Sequence, residues 1–430
     1  MKRTTYAHDP NMTLDVTSCA NKRIILPFDE VTYSTLLQSR PAYKAFLAAQ
    51  IQAHPELFPP TIQDGWTLHG LTDTSTKQGI RLRRIQTTAD GEVWQIHSSF
   101  LMPYMTCDTA TAEQILFLAK WAPDWALARV FKKDVMTIYR LRTSLGRYNL
   151  VGTTVKTPAA LPTDVVADEK HSTLAGERVY IATTAGNNCF LGASISSEAG
   201  DEALTTAYRQ FQHEAQQVQL AYQPTTVNTD GWSATRNAWK TLFPQVCVIQ
   251  CFLHAVLGLK QVATNASHAL YQQIVDVTWH VYHATTKRSF AQRVRRLREW
   301  GETLADSPLK GKLLKLCGKS PAFASAYDHP TSLRTSNMID RLMQGMEKYL
   351  FAKSYFHGTL ISAERGIRAY CLLTNFRPPA YNPIAHMTCR DKLSPFEQLN
   401  GFSYHENWLH NLLIATSCQE IYRFQQKKLE

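Results

Sequence analysis

The stretch that decides the fold spans residues 165–251 and reads VVADEKHSTLAGERVYIATTAGNNCFLGASISSEAGDEALTTAYRQFQHEAQQVQLAYQPTTVNTDGWSATRNAWKTLFPQVCVIQC. It opens with an apolar run that ends at Asp168, and two β-rich runs follow at Glu177–Thr184 and Cys189–Ile195. The turn Gly186-Asn187-Asn188 separates those two runs. β-branched and aromatic residues bounded by glycine and asparagine are typical of strands joined by turns, so the segment predicts three successive strands.

The second half of the stretch alternates helices with strands. Residues Glu202–Leu220 carry apolar side chains at helical spacing, which predicts an amphipathic helix. A short strand, Thr225–Thr229, then ends at Asp230, and a helix over 233–242 and a strand at Val246–Cys251 follow. The order strand, strand, strand, helix, strand, helix, strand predicts an α/β fold, the ribonuclease H-like core, in which helices flank a mixed five-stranded sheet.

After this stretch, helical periodicity dominates the chain. We therefore expect a helical insertion within the core and a second part of the core that begins with a long helix near Ser336. The expected divisions are 160–254 for the first part of the core, 255–334 for the insertion, 335–376 for the second part, and 377–430 for a tail with a last helix from Glu406 to about Gln426.

Before the core, the sequence predicts an α+β DNA-binding region. Residues 1–70 are expected to form a helical and loop region, with a helix at Tyr43–Gln52. Residues 71–150 contain two β-rich runs, Ile80–Gln86 and Val93–Phe100, and the Asp-Gly pair between them favours a hairpin. Two further helices, joined by Lys132-Lys133-Asp134, are typical of a helix-turn-helix, although an ordinary helical hairpin in a core explains the same pattern.

The composition indicates a large protein of the cytoplasm. With 430 residues, 44% of them hydrophobic, the chain can bury the cores of two or three domains. Its nine cysteines form no CxxC pair, its N-terminus lacks the apolar core of a signal peptide, and no apolar run approaches the roughly 18 residues of a membrane span. We therefore expect a soluble protein with reduced thiols and no membrane partner.

The excess of positive charge favours a polyanionic partner. Lys and Arg number 46 against 35 Asp and Glu, for a formal charge of +11, and clustered basic side chains release counterions from phosphates on binding. Charge runs on helices are also common as solvated surface. The candidate nucleic-acid contacts are Arg81, Arg83, Arg84, Lys132, Lys133, Thr137, Arg140, Arg142, Lys170, Arg293 and Arg296.

Three aspartates lie where a ribonuclease H-like sheet requires carboxylates. Asp168 is on the first strand, Asp230 ends the fourth, and Asp340 is in the first turn of the late helix, behind Ser336 or Asn337 as the N-cap. Phosphoryl transfer on DNA can use two divalent ions about 4 Å apart, and Mg²⁺ prefers carboxylate oxygens. Each acid taken singly is also explained as a turn or cap residue, so their joint placement is what makes the three our candidate catalytic and metal-binding residues.

Several short blocks resemble those of a known family. Residues 167–171 (ADEKH), 228–232 (NTDGW) and 336–341 (SNMIDR) resemble the three acidic blocks of bacterial insertion-sequence transposases of the DDE/D superfamily. Residues 251–254 (CFLH) are similar to the C/D-x-x-H signature of the Mutator-like groups, and residues 368–376 (RAYCLLTNF) resemble the closing block of the bacterial enzymes. The resemblance extends from about residue 55 to residue 415.

What the resemblance implies is a DNA transposase. Metal-dependent hydrolysis of double-stranded DNA at the transposon ends would be followed by attack of the freed 3′-hydroxyl on target DNA. It also implies two Mg²⁺ ions per active site, with Mn²⁺ able to replace them, and a homo-oligomer that acts on paired ends. The chain departs from the family in its third acid, Asp340, where glutamate is commoner, and Glu347 is the fallback third acid.

The signature block adds accessory candidates, His254 and Cys251, beside Asn337 of the third acidic block. His254 is expected either to orient the site or the scissile phosphate, or to serve as a structural residue that fixes the fifth strand to the insertion. Cys247, Cys251 and His254 also raise the possibility of a zinc site, which lacks a fourth ligand in the sequence. Trp232 is expected either to stack on a flipped base or to pack against the sheet.

Two other functions fit the same residues. A nuclease built on this core would cut DNA without joining strands. A sequence-specific DNA-binding protein derived from a transposase would have lost catalysis, although all three candidate acids are present in this chain.

Overall fold

The computed structural model describes residues 22–379 and 393–421. The predictions for the N-terminal end, for residues 380–392 of the proline-rich segment and for the last helix beyond residue 421 lie outside these ranges. The described protein is a mixed α/β structure with two mixed sheets. None of the helices in the described ranges combines the length and the apolar character that a bilayer-crossing segment requires.

A four-stranded sheet forms the N-terminal region, in the spatial order β1-β4-β3-β2. The predicted hairpin is confirmed as the antiparallel pair β3–β4, whereas the first and second strands were not predicted. The first strand pairs parallel to β4, and the second occupies an edge. The elements are β1 (Arg23–Leu26), α1 (Glu30–Gln38), α2 (Arg40–Ala53), β2 (Trp66–Leu71), β3 (Arg83–Thr87) and β4 (Val93–Ser98).

Four helices follow the first sheet, and the second and third of them are the predicted helices joined by Lys132-Lys133-Asp134. The break between the second and third of these helices contains Lys132 in the left-handed conformation (φ 51°), and Asp134 caps the third helix through the backbone N–H groups of Met136 and Thr137. The helices are α3 (Thr109–Leu118), α4 (Asp124–Phe131), α5 (Val135–Ser144) and α6 (Leu150–Thr154).

The second sheet has five strands in the spatial order β7-β6-β5-β8-β9. Strands β5, β6 and β7 pair antiparallel in turn, and β8 and β9 run parallel to β5. The predicted order of strands and helices is therefore confirmed. The elements are β5 (Asp164–Leu174), β6 (Glu177–Gly186), β7 (Cys189–Ser196), α7 (Asp201–Val218), β8 (Thr226–Thr229), α8 (Ser233–Leu242) and β9 (Cys247–Gln250).

The rest of the described chain is helical, as predicted for residues 255–330. The last helix ends at Ala415, and the prediction that it continues is wrong for residues 416–421, because Cys418 has a positive φ and Glu420 bridges to Tyr148 instead. The helices are α9 (Phe252–Lys260), α10 (His268–Tyr282), α11 (Lys287–Thr303), α12 (Pro308–Gly318), α13 (Ser320–Ala324), α14 (Asn337–Ala352), α15 (Leu360–Phe376), α16 (Pro395–Asn400) and α17 (Trp408–Ala415).

Helices cover both faces of the five-stranded sheet. Because side chains alternate along a strand, Leu191 of β7 packs in the core with α7 and α8, whereas Phe190 packs in the core with α15. The core that contains Phe190 and α15 also contains Ile138 and Leu141 of α5. The helices of the predicted helix-turn-helix therefore share a hydrophobic core with the five-stranded sheet. Helices α9 to α13 have a core of their own around Phe252.

A buried ion pair locks the helices around the edge strand β7. Glu214 of α7 and Arg368 of α15 are 2.5 Å apart and almost completely buried. The other oxygen of Glu214 accepts hydrogen bonds from the backbone of Leu150 and Val151, and Arg368 donates to the carbonyl of Tyr148. The pair thus joins three helices, α6, α7 and α15, that frame the sheet.

Replacement of Arg368 by Met is expected to lower the free energy of unfolding by about 3–5 kcal/mol, because Glu214 would stay buried without its cation. Denaturant unfolding followed by circular dichroism measures this change. The matched control is Arg298→Met, which removes an exposed pair with Glu302 and should cost less than about 1 kcal/mol. Equal losses in the two variants would contradict a locking role for the buried pair.

Candidate metal centre

The register of the central sheet places two of the candidate aspartates side by side. Asp164 pairs with Thr226, and Val166 pairs with Asn228, so partners on β5 and β8 differ by 62 positions. The same offset leads from Asp168 to Asp230, which directly follows the last residue of β8. Neighbouring strands lie about 4.8 Å apart and residues in register project to the same face. The two carboxylates therefore start from adjacent backbone positions.

The third candidate aspartate reaches the same place from a helix. Asp340 lies in the first turn of α14, which packs on the sheet through Ile339 and Met343 against Val166 and Ala185. One carboxylate oxygen of Asp168 and one of Asp340 lie within 4.8 Å of each other, and a ring nitrogen of His254 lies within the same distance of both. This group of three could hold a metal ion.

Ser336 connects the residues around this group. Its Oγ donates a hydrogen bond to Oδ2 of Asp340 (2.8 Å) and lies 3.3 Å from Nδ1 of His254. Its backbone N–H donates to Sγ of Cys251, whose thiol in turn donates to the serine Oγ (both 3.2 Å). Ser336 precedes α14, and its Oγ makes no capping hydrogen bond there. The serine therefore serves the acid and the histidine rather than the end of the helix.

The electrostatics of the group show that negative charge is crowded there. Burial, with the nearby carboxylate of Asp230, raises the pKa of Asp168 to about 6. A hydrogen bond with Cys251 raises the pKa of His254 to about 9, and Asp168 and Asp340 add to the effect. Burial opposes ionisation of the Cys251 thiol, but hydrogen bonds from His254 and Ser336 outweigh it and lower its pKa. The arrangement favours positive charge between the carboxylates.

A fourth acid, Glu169, supports the strand from its other face. It is buried, and its Oε1 accepts hydrogen bonds from Tyr208 of α7 (2.6 Å) and Thr235 of α8 (2.7 Å). Burial raises the pKa of Glu169 to about 7. Since α8 begins three residues after Asp230, this contact ties the strand of one candidate acid to the helix that follows another.

Sequence reasoning assigned neither Glu169 nor Ser336 to the site. The alternation of side chains along β5 was the signal for Glu169, because it places this acid opposite the face of Asp168 and towards the helix with Tyr208. For Ser336 the sequence showed only a residue suited to begin a helix. Its link to Cys251 and His254 joins segments more than 80 residues apart, and only the fold reveals it.

The remaining accessory candidates lie near the group without joining it. Glu347 forms an ion pair with Lys170 (2.6 Å) and also accepts a hydrogen bond from Tyr355. Asn337 opens α14 and lines a cleft together with Asp340. The fallback acid is therefore engaged with a lysine that was itself a candidate phosphate contact.

The positions of Cys247, Cys251 and Trp232 concern the predicted zinc site and the predicted stacking on a flipped base. Within the described ranges, the group that could hold a metal contains His254 and neither Cys247 nor Cys251. Trp232 is half-buried, its ring lies 6.0 Å from that of Tyr180, and it packs at the margin of the core under α7 and α8.

Two candidate nucleic-acid contacts are contradicted by burial. Arg83 is 7% exposed, because alternation along β3 turns it inward, where it lies over the ring of Tyr43. Arg142 is 8% exposed, because it shares the inner face of α5, where it pairs with Asp124 at 2.9 Å. Neither guanidinium is available to a large ligand on the surface.

The other candidate nucleic-acid contacts are at least partly exposed to solvent. Arg84 and Arg293 are half-buried and donate to backbone carbonyls of Leu71 and His280. Thr137 and Lys170 are half-buried too. The exposed members of the set are Arg81, Lys132, Lys133, Arg140 and Arg296.

Comparison with known proteins adds nothing to this geometry. No family model matches the sequence. No curated protein matches it significantly. The interpretation of the site therefore depends on its own residues.

Replacement of Ser336 by Ala is expected to weaken the binding of Mn²⁺ by about 10- to 100-fold, the usual effect of losing a residue that orients metal ligands. Isothermal titration calorimetry measures the affinity. The matched control is Ser307→Ala, which removes a true helix cap at α12 far along the chain. That variant should lose about 1 kcal/mol of stability and keep its Mn²⁺ affinity. Unchanged affinity in Ser336→Ala would contradict the orienting role.

Proposed function

We propose that the protein is a DNA transposase of the DDE/D type, built on a ribonuclease H-like core. One observation carries the proposal: a carboxylate oxygen of Asp340 lies within 4.8 Å of one of Asp168, whose pKa is raised in part by the nearby carboxylate of Asp230. The spatial order β7-β6-β5-β8-β9, with three antiparallel strands followed by two parallel ones, supports such a core. The three resembling sequence blocks contain these three acids.

The donor set fits the divalent metal that this reaction requires. Carboxylate oxygens are the ligands that Mg²⁺ prefers, and two of them, from Asp168 and Asp340, lie together in a half-buried space where Asp230 adds negative charge. Asp168, Asp230 and Asp340 would hold two Mg²⁺ ions, which Mn²⁺ could replace. When bound, such ions supply activation of the attacking oxygen and stabilisation of the leaving oxygen.

The chain's own residues place the carboxylates and the DNA. Asp168 lies within a strand that pairs on both sides, which gives its side chain a rigid support. Asp230 holds its own loop, because Oδ1 accepts the backbone N–H of Trp232 (2.7 Å). In the first step a water molecule would attack the phosphodiester at the transposon end. In the second, the freed 3′-hydroxyl would attack target DNA, so no serine or tyrosine nucleophile is needed.

Charge on the helical insertion supports double-stranded DNA as the substrate. Residues 255–334 contain twelve Lys and Arg and five Asp and Glu, a formal charge of +7 within the +11 of the whole chain. Arg296 lies exposed on α11, and α9, which leads from the core into the insertion, carries His254 at the metal group. A basic surface connected to the site favours contact with DNA phosphates. We propose that homo-oligomers of the protein bring two such ends together.

A cleavage assay tests the function. The substrate is a plasmid that carries the DNA flanking the gene on either side, incubated with the protein and Mg²⁺. Asp230→Asn is expected to reduce cutting by more than about 100-fold, since loss of a ligand should exceed the 10- to 100-fold effect of losing a residue that supports one. The matched control is Asp276→Asn on the exposed side of α10, which should cut like the unaltered protein.

The products separate the three functions. Cut ends joined to a target plasmid support transposition, whereas cutting without joined products would indicate a nuclease. Sequence-specific binding with no cutting in either Mg²⁺ or Mn²⁺ would indicate a DNA-binding protein. Cutting that survives in Asp230→Asn would overturn the assignment of this aspartate.

A further inference from the structure

In the described residues, the group of side chains that could hold a metal ion is not the set of three aspartates. It consists of Asp168, Asp340 and His254, each with one ligand atom within 4.8 Å of the others. All three side chains are half-buried. The imidazole of His254 thus lies beside the two carboxylates. The proposed function by itself assigns only oxygen donors to this site.

The spacing of these atoms suits a cation between them. Donors bound to a small divalent ion at about 2.0–2.2 Å can be at most about 4.4 Å apart. The ligand atoms of the three side chains lie within 4.8 Å of one another, so movements of less than about an ångström would bring them to bonding positions. In the described residues, no nitrogen of His254 lies within 4.0 Å of an aspartate oxygen. The histidine and the two aspartates therefore do not form a direct ion pair with one another.

The surroundings of His254 hold the ring as a metal ligand is usually held. Its Nδ1 lies 3.3 Å from Oγ of Ser336, and Ser336 and Cys251 are both almost completely buried. A metal-binding histidine commonly donates its second ring N–H to a fixed partner, which sets the tautomer and aims the other nitrogen. With Nδ1 engaged, Nε2 is the nitrogen left for a cation.

We propose that Nε2 of His254 ligates the cation held between Asp168 and Asp340, and that this centre therefore selects Mn²⁺ over Mg²⁺. Mg²⁺ prefers oxygen donors and a regular octahedron, whereas imidazole suits divalent ions of the first transition row. The inference rests on the proposed function, because it concerns the same site. It adds a ligand and a metal preference that the three aspartates alone do not give.

The competing role for His254 is structural. A protonated ring held by Cys251 and Ser336 would fix the start of α9 next to α14 and would never contact the metal. The two roles differ in one measurable property, which is direct bonding between the bound metal and a histidine nitrogen.

Electron spin-echo envelope modulation of the full-length protein with one equivalent of Mn²⁺ measures that bonding directly. We expect modulation from a coordinated ¹⁴N nucleus, its replacement by a ¹⁵N pattern when histidine alone is labelled, and its loss in His254→Asn. The matched control is His280→Asn on the exposed side of α10, which should leave the signal unchanged.

A second variant tests the metal preference. In competition titrations the unaltered protein should bind Mn²⁺ at least about tenfold more tightly than Mg²⁺, and His254→Asp, which restores an oxygen donor, should reduce this ratio. Circular dichroism confirms that both variants are folded.

The outcomes separate this inference from the proposed function. Bound Mn²⁺ without nitrogen modulation, or a ratio unchanged in His254→Asp, would overturn the inference and leave the three-aspartate site standing. Failure of the unaltered protein to bind Mn²⁺ or Mg²⁺ at all would overturn both.

Discussion

The repulsion between carboxylates held at one end of the central sheet is the constraint on which the rest of the site depends. Register brings Asp168 of β5 near Asp230, which directly follows β8, and α14 adds Asp340. In a half-buried space such charges are costly unless a cation compensates them, and the raised pKa of Asp168 reflects this. A bound cation would compensate these charges and would stabilise the folded state.

Contacts between distant segments hold the elements that carry these carboxylates in place. Glu169 fastens β5 to α7 and α8, while Ser336 fastens α14 to the residues that precede and begin α9. Farther out, the Glu214–Arg368 pair holds α7 and α15 on opposite faces of the sheet. Because each support joins segments distant in the sequence, the geometry of the carboxylates is a property of the whole body rather than of one loop.

The central sheet was predicted well because its strands are rich in β-branched residues and are separated by turns or by amphipathic helices. The separation of 62 residues between Asp168 and Asp230 equals the pairing offset of their strands, which the sequence alone could not show. Strand β1 was missed because its pairing partner, β4, lies about 70 residues later in the chain. Arg83 and Arg142 were misjudged because charge suggested a surface, whereas tertiary partners bury both.

The same limit applies to His254. Its position after a short strand was visible in the sequence, but whether its ring faced the acids depended on how α9 and α14 meet. Periodicity describes one element at a time, and contacts between elements decide the chemistry of a site.

A crystal structure of the protein soaked with Mn²⁺, with anomalous data collected at the manganese edge, would locate the bound cation relative to the three aspartates. We expect an anomalous peak about 2.2 Å from carboxylate oxygens of Asp168 and Asp340, with any second peak about 4 Å away and beside Asp230. Well-ordered density in which the three carboxylates stay apart, with manganese bound only elsewhere on the surface, would contradict it.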